Sequence, residues 1–372
     1  MRSTVRKRAL VGAAVVAGLV AGSTTAVAEP AGVSTRGAVT RALDQVVRTG
    51  VPGAQAVVSD RGRSWEVSRG AGDLRTGRPF PPRARVRIGS NTKTFVAVVV
   101  LGLVGEGRVE LDAPVQRYLP GVVRGNGNDG TRITVRQLLQ HTSGLADYLA
   151  AIDPLSNRWK HVEPAEVVRI AMGLAPHFAP GSRWEYSNTN YVLAGMLVER
   201  VTGRSVAAEV ERRITGPLGL RSTYFPRDHE TGIRGPHPRG YAEIDGKRVD
   251  YTRQDPSWGG AAGAMVSTGE ELNTFFAALL GGRLLPAAQL AEMKRTVPAD
   301  VAPGASYGLG LIRYGTTCGR DLWGHGGSIP GYRTRGGITT TGRAVTVTVN
   351  QLVDTHESTT ALDQAVDTAA CS

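Results

Sequence analysis

The two residues of this chain best suited to chemistry are Ser90 and Lys93, a hydroxyl and an amine three positions apart. An apolar run over residues 95–104 follows them, so a helix is predicted to begin near Ser90. Positions i and i+3 of a helix share one face, so the amine can reach the hydroxyl, and the free N–H groups of the first turn favour negative charge there. The pair indicates a serine nucleophile beside a proton acceptor, as acyl transfer requires. A helix-capping serine with a solvated lysine is the alternative.

A second candidate group, Tyr186 and Asn188, lies in a loop just before a predicted helix. Tyrosine is a weak base at its ordinary pKa of about 10, but a neighbouring ammonium such as that of Lys93 favours the phenolate or a shared proton. Tyr186 can then accept the serine proton, and Asn188 can hold a substrate amide. A half-buried tyrosine followed by a turn-forming asparagine is the alternative.

A third candidate group, His325, Gly327 and Ser328, lies in a glycine-rich stretch. Glycines beside a strand often mark a close approach of ligand to backbone, and an N–H here can join that of Ser90 in an oxyanion hole. His325 supplies a group that can be cationic near a substrate carboxylate. The alternative is a glycine-rich hairpin with a structural histidine.

The elements around these groups predict an α+β fold, with an antiparallel sheet flanked by helices and a mainly helical second domain. The sheet domain is expected over residues 29–89 and 250–372, the helical domain over 90–249, and the active site between them. Strands are predicted in a pair over 53–67 with a turn at 60–62, and over 331–337 and 344–350. Helices are predicted over 95–105, 135–140, 164–172, 190–202, 205–214 and 357–370.

Residues 1–28 have the pattern of a secretory signal peptide: a basic start, a short apolar core and an A-x-A site ending at Ala28. We therefore expect a secreted protein with no membrane anchor, because no stretch is apolar enough to span a bilayer. Two cysteines, Cys318 and Cys371, suggest one disulfide in an exported chain, with two buried thiols as the alternative.

Composition argues against several classes of function. The net charge is +12, but the arginines are scattered, so no nucleic-acid partner is expected. The histidines show no ligand spacing such as H-E-x-x-H, and no phosphate-binding glycine motif follows a strand. We therefore expect neither a metal nor a cofactor.

In this order, Ser90-x-x-Lys93, Tyr186-x-Asn188 and His325-x-Gly327 resemble the motifs of the penicillin-recognising serine hydrolases, the β-lactamases and DD-peptidases. The similarity is in particular to the secreted D-alanyl-D-alanine carboxypeptidases of actinomycetes, and it covers nearly the whole chain. It includes the segments 141–145, 258–268 and 307–311.

The resemblance implies a role for each residue. Ser90 is the acylated nucleophile, Lys93 deprotonates it or tunes Tyr186, and Tyr186 acts as base in acylation and as acid toward the leaving amine. Asn188 holds the substrate amide, and the N–H groups of Ser90 and Ser328 form the oxyanion hole.

Further residues receive roles from the same resemblance. His325 replaces the lysine found at this place in many β-lactamases, and Trp258 lines the cleft or belongs to the core. His141 and Thr142 are interpreted as structural loop residues. Cys318 and Cys371 match a pair that is bridged in the carboxypeptidases.

The expected function is therefore a serine-type D-Ala-D-Ala carboxypeptidase that acts as a monomer on peptidoglycan stem peptides and binds penicillin. A class C-like β-lactamase, an esterase and a D-aminopeptidase are the alternatives, and the intact Ser90, Lys93 and Tyr186 argue against a non-catalytic envelope-binding protein. One departure favours the more open pocket of an esterase or D-aminopeptidase. The carboxypeptidases carry His-Thr-Gly-Thr where this chain has residues 325–328, and Arg313 is the nearest candidate for their carboxylate-binding arginine.

Overall fold

An eight-stranded antiparallel sheet built from both ends of the chain forms the framework. The computed structural model describes residues 34–352 and 355–372, so the predicted signal peptide lies outside the described residues. The strands are β1 (Gly53–Asp60), β2 (Arg63–Gly70), β3 (Arg85–Arg87), β4 (Arg124–Gly125), β5 (Asn128–Asp129), β6 (Tyr241–Ile244), β7 (Lys247–Asp250), β8 (Val266–Thr268), β9 (Val297–Pro298), β10 (Ser306–Tyr307), β11 (Ile312–Gly315), β12 (Asp321–Ile329), β13 (Tyr332–Thr339) and β14 (Ala344–Val349).

The order across the main sheet is β2-β1-β14-β13-β12-β11-β10-β9, and the remaining strands form the pairs β3-β8, β4-β5 and β6-β7. The helices are α1 (Thr35–Arg48), α2 (Thr92–Gly105), α3 (Val135–Gln140), α4 (Pro164–Met172), α5 (Thr189–Thr202), α6 (Val206–Val210), α7 (Gly216–Leu218), α8 (Gly260–Gly263), α9 (Gly269–Leu280), α10 (Ala287–Met293) and α11 (His356–Cys371). None of the helices in the described part of the chain has both the length and the apolar character needed to cross a membrane.

Strand β14 shows how the sheet is sandwiched between helices. Its valines join α1 and α11 in one apolar cluster. Thr346 points the other way and donates a hydrogen bond to Asn273 of α9 at 2.7 Å. Because alternate side chains leave a strand on opposite faces, this alternation places helices on both sides of the sheet. The predicted sheet covered by the first and last helices is confirmed.

Helix α2 is buried along most of its length and lies in the larger apolar cluster of the described residues. A helix that is hydrophobic on all sides has to be enclosed by other elements. Here α5, α8 and α10 pack against it. Its N-terminus is therefore held rigidly, with Lys93 in its first turn and Ser90 just before it. Contacts group Thr35–Ser372 in one compact unit, so the division into two domains stays a prediction.

The predicted disulfide joins Cys318, in the turn between β11 and β12, to Cys371 at the end of α11. It closes a loop with a sequence separation of 53, worth about 4 kcal/mol in the chain-entropy model. We expect Cys371→Ser to lower the free energy of unfolding by roughly that amount, measured by urea denaturation. Cys318→Ser and the double variant serve as controls and should unfold at the same midpoint as Cys371→Ser. An unchanged midpoint would contradict the stabilising role.

Candidate active site

Ser90 lies in a single 3-10 turn, Gly89–Asn91, that leads directly into α2. Neighbouring side chains fix this turn. Thr92 donates from Oγ1 to the carbonyl of Gly89 at 2.7 Å, and Asn91 donates from Nδ2 to the carbonyl of Ile88 at 3.0 Å. Asn91 and Thr92 are buried whereas Ser90 is only half-buried. The sequence thus presents the serine hydroxyl at the surface of a locked turn.

Lys93 is fully buried beneath Ser90. Its Nζ lies 3.0 Å from Ser90 Oγ, 2.7 Å from Asn188 Oδ1 and 2.7 Å from the carbonyl oxygen of Ala262. Burial lowers the pKa of Lys93 to about 7, with the negative charge of Asp147 opposing that fall. Near neutral pH much of the lysine is therefore an uncharged amine, which can accept the Ser90 proton. The predicted contact between amine and hydroxyl is confirmed.

Asp147 sets the orientation of Asn188. One carboxylate oxygen of Asp147 accepts from Asn188 Nδ2 at 2.7 Å and from its backbone N–H at 3.1 Å. The amide oxygen of Asn188 is thereby turned toward Lys93. Sequence reasoning missed Asp147, whose only local signal is that of an ordinary N-cap before the turn Tyr148–Ala150. It missed Ala262 as well, because a backbone carbonyl leaves no mark in residue type.

Tyr186 completes the group around the serine. Its ring centroid lies 4.8 Å from Lys93 Nζ, and the neighbouring Ser90 side chain acts to lower the pKa of its hydroxyl. Burial raises the pKa of Tyr186 far above its usual range, more than the contact with Ser90 lowers it. Of the two states considered from the sequence, a phenolate and a shared proton, desolvation disfavours the phenolate and keeps the phenol protonated. A protonated phenol at this place can donate to a leaving group.

His141 is structural, as predicted. It ends α3 in the left-handed region, with φ 61°, and its ring lies 4.3 Å from that of Tyr186. Its Nδ1 accepts from the backbone N–H of Ser187 at 3.2 Å and from Asn190 Nδ2 at 3.1 Å. Burial holds the pKa of His141 well below its usual range, so the ring is neutral. It therefore fixes the loop that carries Tyr186 and Asn188.

Strand β12 lies directly against the turn that carries Ser90. Strand β11 pairs with β12 only as far as Gly324. Beyond Gly324, the edge of β12 that would face β11 lies against the turn of Ser90 instead. A Cβ on Gly327 would lie 1.8 Å from the carbonyl oxygen of Ile88, and a Cβ on Gly89 would lie 2.7 Å from the nitrogen of Ser328. Gly327 thus serves this approach of two backbones. The approach brings Ser328 beside Ser90, as the predicted oxyanion hole requires.

His325 differs from the prediction. It is buried, its Nδ1 donates to the carbonyl of Gly326, and its Nε2 accepts from the hydroxyl of Tyr307 at 2.9 Å. Burial, followed by the nearby charge of Lys93, lowers the pKa of His325 to about 3. The ring is therefore neutral, and the expected cation for a carboxylate is wrong.

Two other predicted contacts to substrate are otherwise engaged. Trp258 is 6% exposed and lies in the larger apolar cluster. Of the two predicted roles, lining the cleft or belonging to the core, it therefore has the core role. Its backbone carbonyl accepts from the hydroxyl of Tyr148. Arg313 pairs with Asp321 at 3.0 Å. The site thus gathers Ser90, Lys93, Tyr186 and Asn188, with Gly327 and Ser328 beside them.

The state of Lys93 leads to a pH dependence. Because the neutral amine is the form that accepts the serine proton, kcat/KM should rise as pH increases through about 7 and level off above it. Below that midpoint the rate should fall about tenfold per pH unit. Rates of ester hydrolysis between pH 5 and 9 check this, and a flat profile across that range would contradict the role of Lys93.

Asp147→Asn tests the origin of that pKa. The carboxylate of Asp147 favours the charged form of Lys93, so its neutralisation should shift the midpoint to lower pH. Asp153→Asn is a matched control, since Asp153 caps a nearby exposed turn through Leu155 and Ser156. The control should keep the wild-type midpoint. An unchanged or raised midpoint in Asp147→Asn would contradict this electrostatic role.

Comparison with known proteins agrees with this geometry. The family model for beta-lactamase matches residues 36–370. A D-stereospecific amidohydrolase from Streptomyces sp. is 41% identical, with a TM-score of 0.81 over 87% of this chain and 97% of that one. A D-amino acid amidase from Ochrobactrum anthropi SV3 is 31% identical, with a TM-score of 0.78 over 90% of this chain and 97% of that one.

Esterase EstB from Burkholderia gladioli is 37% identical over 198 residues, which are 49% of this chain and 50% of that protein. This chain spans about half the length of the curated relatives it matches. The match to the family model, in contrast, extends over almost all of the described residues. With its buried lysine under a half-exposed serine, and with this likeness along its length, the chain belongs to the beta-lactamase family.

Proposed function

We propose that this protein hydrolyses amides of D-amino acids through an acyl-enzyme formed on Ser90. As a serine hydrolase of the beta-lactamase family it has a nucleophile in place, and the observation that carries the proposal is the contact of Ser90 with the buried amine of Lys93 at 3.0 Å. An amine with a pKa of about 7 is matched to the removal of a serine proton at neutral pH.

The proposed reaction follows from the protonation states at rest. The Lys93 amine takes the proton of Ser90 as Oγ attacks the substrate carbonyl, and the resulting oxyanion is met by the N–H groups of Ser90 and Ser328. The phenol of Tyr186 gives its proton to the leaving amine, and the proton on Lys93 then restores the phenol. In deacylation Lys93 takes the phenol proton of Tyr186, and the phenolate takes a proton from the attacking water. Lys93 then returns its proton to Ser90 Oγ as the acid leaves.

The charges around Ser90 favour one class of substrate. A C-terminal carboxylate in a water-poor cleft needs a cation beside it. His325 is neutral, and Arg313 is committed to Asp321. An uncharged amide needs no such partner, and Asn188 can pair with it. Likeness to a D-stereospecific amidohydrolase and to a D-amino acid amidase supports the same class and the D configuration.

A D-Ala-D-Ala carboxypeptidase acting on peptidoglycan stem peptides and acylated by β-lactams is the second candidate. The exposed Ser328 beside the nucleophile favours it, since a hydroxyl there can donate to a carboxylate. Likeness to a penicillin-binding protein homologue from Pyrococcus abyssi, with 27% identity and a TM-score of 0.74, points the same way. The secreted location and the monomeric state inferred from the sequence belong to the proposal in either case.

The test compares substrates on one preparation of the protein. Ammonia release from D-phenylalanine amide should be fast, release from the L enantiomer slow, and release of D-alanine from a diacyl-Lys-D-Ala-D-Ala peptide slower than that from the D-amide. A higher kcat/KM for the tripeptide would establish the carboxypeptidase. Rapid turnover of a chromogenic cephalosporin would establish a β-lactamase, and cleavage of short esters alone would establish an esterase.

A further inference from the structure

Two histidines and two carboxylates meet at a place that shares no residue with the group around Ser90. His161 and Glu163 immediately precede α4, His229 lies in the loop before β6, and Asp255 lies in the loop before α8. One ligand atom each from His161, His229 and Asp255 can be chosen so that all lie within 4.8 Å of one another. Imidazole and carboxylate groups at this separation are the ligands of a divalent transition metal.

The distances suit a small cation. His161 Nδ1 lies 3.1 Å from Asp255 Oδ2, and His229 Nδ1 lies 4.0 Å from the same oxygen. Tetrahedral zinc, with bonds of about 2.0 Å, places its ligand atoms roughly 3.3 Å apart. The first pair already fits, and the second needs an inward shift of less than about 1 Å. The side chain of His229 is 76% exposed, and its ring packs on that of His161 with centroids 4.2 Å apart, so the movement is a small adjustment of this ring contact.

Glu163 supplies an independent indication. Its Oε1 lies 3.2 Å from Nε2 of His161, the ring nitrogen that does not face Asp255. Histidines that bind metals typically donate their second ring N–H to a carboxylate, which fixes the tautomer and makes the ligand more basic. With Nε2 donating to Glu163, Nδ1 can serve as the ligand atom once a metal ion takes the place of the proton that it shares with Asp255. The side chain of Asp255 is 3% exposed, and its other oxygen already accepts from the backbone N–H of Ser257.

We propose that His161 Nδ1, His229 Nδ1 and Asp255 Oδ2 bind one divalent cation of the zinc class, with Glu163 as the outer partner of His161. The two carboxylates offset the charge of the cation. A cavity of about 180 Å³ lined by His161, Glu163 and Asp255 leaves room for a water molecule as fourth ligand. The bound ion would tie together three segments that are distant in sequence and would stabilise the native state. It takes no part in the acyl transfer at Ser90.

The same contacts would arise without a metal if a protonated His161 bridged the two carboxylates. In that arrangement His229 only packs its ring against that of His161, with centroids 4.2 Å apart, and its Nδ1 stays 4.0 Å from Asp255. The two arrangements differ in a measurable way. If a metal is bound here, loss of His229 weakens zinc binding. If a protonated His161 bridges the carboxylates instead, the cluster has no zinc binding for that loss to weaken.

The test uses protein without a histidine tag, treated with a chelator and dialysed, and titrated calorimetrically with Zn²⁺ alone. One zinc per chain is expected, together with a raised Tm and the visible absorption bands of tetrahedral Co²⁺ when cobalt is the probe. His161→Ala and His229→Ala should each weaken zinc binding at least about tenfold, since even the loss of an outer partner usually costs that much. Glu163→Gln should weaken it less than either of them.

His356→Ala is the matched control, because His356 is exposed at the start of α11 and should bind zinc no differently from wild type. If His161→Ala does not fold, His229→Ala alone decides the matter, because that side chain is exposed. Absence of saturable zinc binding, or equal binding by wild type and His229→Ala, would overturn the proposal. Binding of Mg²⁺ in preference to Zn²⁺ would overturn the assignment to the zinc class.

Discussion

Ser90→Ala is expected to lower kcat for amides and esters by about 10⁴- to 10⁶-fold, the loss usual when a covalent nucleophile is removed. Among the described residues, Ser90 is the one whose hydroxyl hydrogen-bonds the Lys93 amine, at 3.0 Å. Whatever turnover remains should come from water attacking substrate that is bound in the same cleft. Steady-state rates with a D-amino acid amide and an activated ester check this.

The fold should survive Ser90→Ala, because the turn is held by Thr92 and Asn91 and not by the serine side chain. Thermal unfolding of the variant should therefore match that of wild type. Ser64→Ala, a change at an exposed serine on β2, is the matched control and should keep full activity. Turnover of Ser90→Ala within tenfold of the wild-type rate would remove Ser90 from the mechanism.

Lys93→Met is expected to lower kcat/KM by about 10²- to 10⁴-fold, the usual contribution of a positioned general base. Methionine fills a similar space but leaves Asn188 Oδ1 and the carbonyl of Ala262 without their donor. Each lost partner costs about 1–3 kcal/mol, so Tm should fall as well. Because this residue and Ser90 act as a unit, the double variant should be little worse than Ser90→Ala alone.

A pH profile separates chemistry from the loss of stability in this variant. If Lys93 is the base, Lys93→Met should lose the rise in rate through pH 7 as well as the rate itself. Lys247→Met, at an exposed position on β7, should keep both. A variant of Lys93 that stays slow but keeps the midpoint near 7 would show that another group titrates there.

Much of the fold could be read from the sequence because its signals are local. The helices 135–140 and 164–172 were predicted with their observed bounds, the first with a capping box of Thr134 and Gln137 and the second with a proline at its start. Strand β14 alternates cleanly between valine and threonine, and its predicted span 344–350 differs from the structure by one residue. Strand β12 has no such alternation, since Gly327 serves the contact with Ile88 and Gly324 the close approach of β13. The local sequence therefore gives no clear signal for this strand, which depends on contacts with residues far away in the chain.

The members of the site were predictable, but their charges were not. Spacing placed Ser90 near Lys93, whereas the protonation of Tyr186 and His325 depends on burial by residues far away in sequence. Asp147 and Ala262 lie more than 50 residues from Lys93 along the chain and reach it only in the folded protein. A sequence motif indicates which residues take part in a reaction, whereas burial in the folded protein determines which of them are protonated.

The most direct test of the account is to identify the residue that becomes covalently acylated. Protein mixed with a slowly deacylated β-lactam or D-amino acid ester, quenched in acid and digested, should yield one modified peptide, with the acyl group on Ser90. The adduct should form faster as pH rises through about 7 and should be absent from Ser90→Ala. An adduct on any other residue, or undiminished labelling of Ser90→Ala, would contradict the mechanism.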